Sequence, residues 1–192
     1  MKAQPLKPMA WSVLTTGPYA EMLNESHLPE EDSDGVFVFP APLKDGAIPY
    51  IALEDLAHYE IWLFDNPLES KGLNLKVTTE HVDFAQLAVT FMAVTGKPAR
   101  YEDIPMEQTF TKPALWDPDH KLGSRYEGED DTTLMTVFEN FSAFWRIVQQ
   151  SVGSGSVLRR DYDLLMASYR AESSRSGNGW REQSITVNIS RC

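Results

Sequence analysis

An α/β fold built on a late parallel strand is what this sequence predicts, and three segments predict it. The run Trp11-Ser12-Val13-Leu14-Thr15-Thr16, closed by Gly17-Pro18, is apolar on successive positions rather than alternate ones, the pattern of a strand buried on both faces of a parallel sheet. Gly72-Leu73-Asn74-Leu75-Lys76-Val77-Thr78 alternates apolar and polar residues, as a half-buried strand does. Between residues 83 and 98 lies a segment with a full set of helix start and stop signals.

Nothing ahead of residue 11 supplies the first strand with neighbours, so the sequence reads as the later part of a larger sheet. An acidic loop, Glu30-Glu31-Asp32-Ser33-Asp34-Gly35, leads to Val36-Phe37-Val38-Phe39, then Pro40 and a turn at Lys44-Asp45-Gly46. That order predicts an edge strand or hairpin arm, because proline removes a ladder donor. Ile48-Pro49-Tyr50-Ile51 runs straight into a helix opened by Leu53-Glu54-Asp55-Leu56, whose acids favour the positive end of the helix dipole. It should stop near Phe64, before Asn66-Pro67.

The strand over 72–78 is expected to end in a loop at Thr79-Glu80-His81. Asp83 then acts as N-cap of the next helix, Gln86 returns the bond, and Val82 staples against Leu87. Phe84, Leu87, Ala88, Phe91 and Thr95 form its apolar face, Gly96 takes the left-handed terminal position, and Pro98 follows. Ala99 to Ile104 predicts a strand, 111–131 a polar loop, and Leu134, Val137, Phe138, Phe141, Phe144, Trp145 and Val148 a helix with one apolar stripe. Ser151 to Ser156 reads as a linker and Arg159 to Ala167 as a last helix, with periodicity fading from Met166.

Composition narrows the function classes. The chain has 192 residues, 42% apolar and 11% aromatic, which suits a globular core. Acids outnumber Lys plus Arg by 28 to 17, a formal charge of −11, and no stretch clusters the cations that phosphate neutralisation requires; nucleic acid and anionic membrane are not expected partners. The proline-broken start and the lack of a long apolar run point to the cytoplasm, or to the nucleus for a regulator. Cys192, the single cysteine, has no internal bridge to make and agrees with a reducing compartment.

Sites of known chemistry are scarce. A dinucleotide cradle needs closely spaced glycines between a strand and a helix, so that bare backbone can meet the pyrophosphate. Gly153-Ser154-Gly155 and Gly177-Asn178-Gly179 are the only close pairs, and neither stands in that context. None of the seven tyrosines has a lysine four residues on, the pairing that lowers a phenol's pKa for proton transfer. The histidines His27, His58, His81 and His120 never take helical metal-pair spacing. Asp117-Pro118-Asp119-His120 reads as a solvated loop, Glu129-Asp130-Asp131 as a solvated helix approach, and the aromatic stripe as core. Two candidates remain. Tyr19 follows the C-terminal end of a parallel strand, where open α/β sheets hold ligands, although packing under a loop would also explain it. His81 lies between a strand and a helix and could meet a substrate or merely pack or cap.

Several strings, in their order and spacing over roughly residues 10 to 165, resemble the NmrA-like group of atypical short-chain dehydrogenase/reductases. They are Leu14-Thr15-Thr16-Gly17-Pro18-Tyr19 with Glu21-Met22-Leu23, Leu53-Glu54-Asp55, Trp62-Leu63-Phe64-Asp65-Asn66-Pro67, Thr79-Glu80-His81-Val82, Val94-Thr95-Gly96-Lys97-Pro98-Ala99 and Asn140-Phe141. The resemblance implies a partial Rossmann-type fold, with a late parallel strand and a smaller α/β C-terminal subdomain. Residues 1–165 would be the C-terminal part of an NAD(P)-binding domain and 166–192 a divergent, poorly ordered tail. It also implies NADP or NAD in an intact member, with Thr16, Gly17, Pro18 and Tyr19 beside the nicotinamide end and Tyr19 and His81 on the substrate side. This chain alone, lacking the glycine turn, is not expected to bind the cofactor. Members are reductases of small molecules or nicotinamide sensors acting through a protein partner, and both readings stay open. The early strands that the resemblance calls for are not in this sequence, which reads as a fragment.

Overall fold

The computed structural model describes residues 10–24, 27–110, 117–123, 132–152 and 156–176, with side chains to residue 170. Along them run β1 (Val13–Thr15), a 3-10 turn (Ala20–Asn24), β2 (Glu30–Glu31), β3 (Phe37–Ala41), β4 (Ile48–Tyr50), α1 (Leu53–Asp65), β5 (Asn74–Lys76), β6 (Glu80–Val82), α2 (Phe84–Thr95), β7 (Ala99–Asp103), α3 (Met106–Thr109), α4 (Val137–Gln149) and α5 (Tyr162–Ser176). The glycine pairs at 153–155 and 177–179, the acids at 129–131 and Cys192 lie outside the described residues.

The first strand finds its parallel neighbour later in the chain. Val13, Leu14 and Thr15 stand opposite Asn74, Leu75 and Lys76 of β5. The expectation of burial on both faces is corrected: Val13 is exposed and Leu14 and Thr15 only half-buried, because β1 has β5 on one side alone among the described residues.

β3 is a hairpin arm, as expected, its partner β2 joined to it through the turn at 32–36, but it is not an edge strand. It lies between β2, antiparallel, and β7, parallel, with Phe37 opposite Ala99 and Ala41 opposite Asp103. Pro40 fits this central position for a geometric reason. The Phe37 N–H donates to Pro98 O, on the β7 side, so alternation turns position 40 toward β2. β2 reaches only from Val38 to Phe37 in register, and so never asks Pro40 for a donor. The expected loop at Thr79-Glu80-His81 is also corrected: Glu80–Val82 is β6, antiparallel to β4. Its partner is fixed by a fully buried Ile48-Pro49-Tyr50 some thirty residues away, which local pattern does not reveal.

α2 follows its local signals closely. The Asp83 carboxylate accepts the Gln86 N–H at 2.7 Å, Gly96 is left-handed at φ 72°, and Phe84, Leu87, Ala88 and Phe91 are buried. Only the Asp83 half of the expected cap forms; the reciprocal box appears instead on α4, between Thr136 and Glu139. α2 packs Phe91 against Phe37 and Phe39 of β3, with ring centroids 5.2 and 5.5 Å apart. Trp145 and Val148 of α4 join the same core, and Val137 is buried as well. Each such side chain contributes roughly 1.5–3 kcal/mol of burial.

A second apolar cluster joins α1, β5 and α5 through Tyr59, Trp62, Leu75, Leu165 and Tyr169. α5 starts at Tyr162 and continues to Ser176, crossing the boundary expected at residue 165. α1 begins where predicted, but its cap is remote: Ala52 offers no side chain, and Glu21 Oε1 accepts the Leu53 N–H at 3.2 Å. Asp55 is more than a dipole-matched surface acid. It is buried and accepts the Thr79 hydroxyl at 2.5 Å, while the Thr79 oxygen accepts the Ala52 N–H.

Candidate functional site

Beyond the C-terminal end of β1 the chain stays extended and is bound to the segment after β4. Pro18 O accepts the Ile51 N–H and the Ala20 N–H donates to Ile51 O, each at 3.0 Å, so Tyr19 bridges Ile51 in parallel. Thr16 is exposed, Gly17 and Pro18 are half-buried, and Tyr19 is 41% exposed. Tyr19 is therefore an available ring at the strand end, not one packed out of reach. Gly17 answers a different need. A Cβ there would meet Pro49 O at 1.8 Å, so the missing side chain makes room for the neighbouring strand.

His81 stands across β4 from that segment, opposite Pro49 in the β4–β6 register. Its ring is held at both nitrogens: Nε2 lies 3.0 Å from Leu158 O and Nδ1 2.7 Å from the Tyr162 hydroxyl. A carbonyl only accepts, so Nε2 carries the proton and the Tyr162 O–H donates to Nδ1. Burial, and less strongly the Arg160 charge, push the His81 pKa below its ordinary value, although its bond to Leu158 opposes them. The imidazole is neutral and its tautomer is set by structure.

An apolar cavity was not foreseen from sequence. His27, after the 3-10 turn, sits in a cavity of about 230 Å³ lined by Met22, Phe39, Phe84, Phe141 and Trp145 among others. Its Nδ1 shares a 2.6 Å hydrogen bond with the Tyr50 hydroxyl, and its ring lies edge-on to Tyr50 and Phe84. Burial drives the His27 pKa from its ordinary 6.5 down to about 4, and pushes the Tyr50 phenol well above its usual range. Thr109 also lines the cavity, and its buried Oγ1 has no hydrogen-bond partner among the described residues. Apolar walls with a few converging polar atoms are the usual make-up of a small-molecule site. The only sequence trace of His27 is its place just after Glu21-Met22-Leu23, a histidine among polar loop residues.

The other candidates resolve simply. Asp117 accepts the Asp119 N–H and the His120 N–H within its own turn. Phe138 packs edge-on against Phe110 at 5.3 Å, and Phe144 against buried Trp145, so the aromatic stripe packs inward, with Phe141 and Trp145 also forming cavity wall. Among the described residues no group of three His, Cys, Asp or Glu side chains could hold a metal, and no helix is long and apolar enough to cross a membrane.

A model of the NmrA-like family matches residues 3–153. The chain belongs to the NmrA-like family. Its fold is similar to that of NmrA, a negative transcriptional regulator, crystallised with NADP: TM-score 0.56, 16% identity, covering 95% of this chain and 52% of that one. NmrA with NAD matches alike, with 96% and 53% covered. A nucleoside-diphosphate-sugar epimerase from Staphylococcus aureus gives TM-score 0.56 at 15% identity, covering 95% and 52%. This NmrA-like chain thus spans about half the length of the structures it matches. No curated protein matches it by sequence.

The dinucleotide that the family implies does not fit these residues by themselves. The bare Cα of Gly17 faces a backbone carbonyl, an acceptor that repels phosphate, so the one glycine of the Thr16–Tyr19 segment offers no phosphate cradle.

Proposed function

We propose that this chain is the substrate-side part of an NAD(P)-binding NmrA-like protein, without catalysis of its own. In this reading the His27 cavity receives a small, largely apolar ligand, and Thr16, Gly17, Pro18 and Tyr19 face the nicotinamide end of a cofactor whose phosphates are held by other polypeptide. The observation that carries it is the pairing of an apolar cavity with a neutral, half-buried His27 and a Thr109 Oγ1 that has no partner among the described residues, two polar groups able to orient a guest. Tyr19 at the mouth of the β1–β5 pair supports the cofactor side, since parallel sheets bind ligands at their carboxyl ends.

A sensor that acts through a protein partner is favoured over a reductase by one feature: no tyrosine has a lysine four residues on. Titrating 2-naphthol into the 192-residue chain while following the His27 ring resonances tests the ligand site. A saturable shift that Thr109→Val weakens supports it, and a folded chain whose His27 signals stay still at the probe's solubility limit rejects it. A tight, stoichiometric complex of this chain with NADPH would overturn the assignment of the phosphates to other polypeptide.

A further inference from the structure

A second cavity, of about 380 Å³, opens between β6 and the start of α5, lined by Ala47, His81, Ser151, Ser156, Arg159, Arg160 and Tyr162. We propose that it is a binding site for a small oxyanion, a phosphate or carboxylate group, gripped by Arg159, Arg160 and the Ser156 hydroxyl. It is separate from the His27 cavity and does not depend on what that cavity binds.

The charge pattern is the first argument. In a chain of net charge −11, this cavity has two guanidinium groups on its wall and no carboxylate among its lining residues. Among the described residues neither Arg159 nor Arg160 forms an ion pair, whereas exposed Arg100 pairs with Asp32 at 2.6 Å and Glu102 at 3.4 Å. The acids nearest in sequence, Asp161 and Asp163, line the adjoining cavity with Lys76, not this one.

Geometry supplies the second. Arg160 is held by backbone alone: Nε donates to Val77 O at 3.1 Å, and Nη1 to Leu158 O and Arg159 O at 3.1 and 3.3 Å. Those bonds fix the plane of the guanidinium and leave Nη2 unspent among the described residues. Carbonyls orient a cation but do not neutralise it, and burial already disfavours the Arg160 charge. An oxyanion supplies the missing negative charge, in the planar geometry that guanidinium matches. Ser156 adds a donor. It is buried, its oxygen accepts the Leu158 N–H at 3.1 Å, and its own proton has no acceptor among the described residues.

His81 forms the far wall and gives a local readout. The charged or titratable groups about it are Arg160 and Arg159, Tyr162 of α5, and Glu80 on its own strand. An anion in the cavity offsets the Arg160 charge that disfavours imidazolium, so its binding raises the pH at which His81 takes up a proton.

The test is to titrate inorganic phosphate, and separately acetate, into the full chain at constant ionic strength with chloride as balance, recording the His81 ring resonances. A saturable one-to-one shift is expected, together with an upward move of the His81 titration midpoint. Arg159→Gln, at an exposed position, should weaken binding about tenfold or more, as loss of a charge-assisted hydrogen bond does, without lowering Tm. Ser156→Ala gives an independent arm if that variant folds poorly. Phosphate binding without acetate binding assigns a phosphate group, and equal binding a carboxylate-sized one. No saturable shift, or a shift that neither substitution weakens, overturns the proposal.

Discussion

The His27 imidazole and the Tyr50 phenol meet at 2.6 Å beside the apolar core, and burial holds each neutral. His27 titrates near 4 when folded and near its ordinary 6.5 when unfolded. Between those values the unfolded chain binds a proton that the folded chain refuses. Stability is therefore unaffected by this group above about pH 6.5 and falls as the pH drops toward 4, by on the order of 3 kcal/mol in all. Urea unfolding at pH 7 and pH 4.5 should show this loss, and His27→Gln should remove most of the difference while lowering stability at pH 7. An unchanged pH slope in that variant would show that another group is responsible.

The Thr79 hydroxyl links two backbone elements through one oxygen, donating to Asp55 Oδ2 and accepting from the Ala52 N–H. Burial raises the Asp55 pKa, while its bonds from Thr79 and Tyr169 hold it down. Thr79→Val deletes a donor to a buried carboxylate and an acceptor at the helix start, an expected cost of about 1–3 kcal/mol at pH 7. The carboxylate share of that cost exists only while Asp55 is ionised, so the penalty should shrink as the pH falls through the raised Asp55 pKa. Chemical unfolding of Thr79→Val at two pH values checks the sign, and coupling with Asp55→Asn in a double-mutant cycle checks the partner.

At the start of α4 the Thr136 hydroxyl accepts the Glu139 N–H at 3.1 Å and the Glu139 carboxylate accepts the Thr136 N–H at 2.9 Å. Thr136→Ala frees one helix donor and should cost about 0.5–2 kcal/mol in thermal or urea unfolding. Glu139→Gln, which keeps an acceptor oxygen, should cost less.

How much was legible in the sequence follows the reach of each interaction. α2 was read almost residue by residue because Asp83, Gln86 and Gly96 act within one turn of the backbone they cap. The Thr136 and Glu139 pair has the same local spacing and is equally legible. β3 as a central strand could not be read, since β7 joins it from sixty residues away, and Pro40 argued locally for an edge. Tyr19 is named from topology; it lies beyond the β1–β5 pair, in an isolated parallel bridge to Ile51. His27 and Arg160 escaped because their significance comes from burial and from partners, Tyr50 and the Val77 carbonyl, distant in sequence. A lone histidine in a polar loop carries no periodic signal.

Gly17 separates chain packing from ligand approach as the reason for a glycine beside a proposed cofactor segment. A methyl group at Gly17 would lie 1.8 Å from Pro49 O, far inside contact distance, and the obstacle is backbone that cannot rotate away. Gly17→Ala must therefore push β1 and β4 apart, with an expected cost of at least about 3 kcal/mol, the upper range of overpacking. Gly96→Ala is the contrasting change: no atom lies within 4 Å of its Cβ, so only the left-handed φ of 72° opposes it, at about 1 kcal/mol. Thermal unfolding of both variants should rank Gly17→Ala well below Gly96→Ala. If Gly17→Ala instead melts with the parent, the Pro49 carbonyl is not its neighbour in solution, and the bare backbone at this position is left free to serve a ligand.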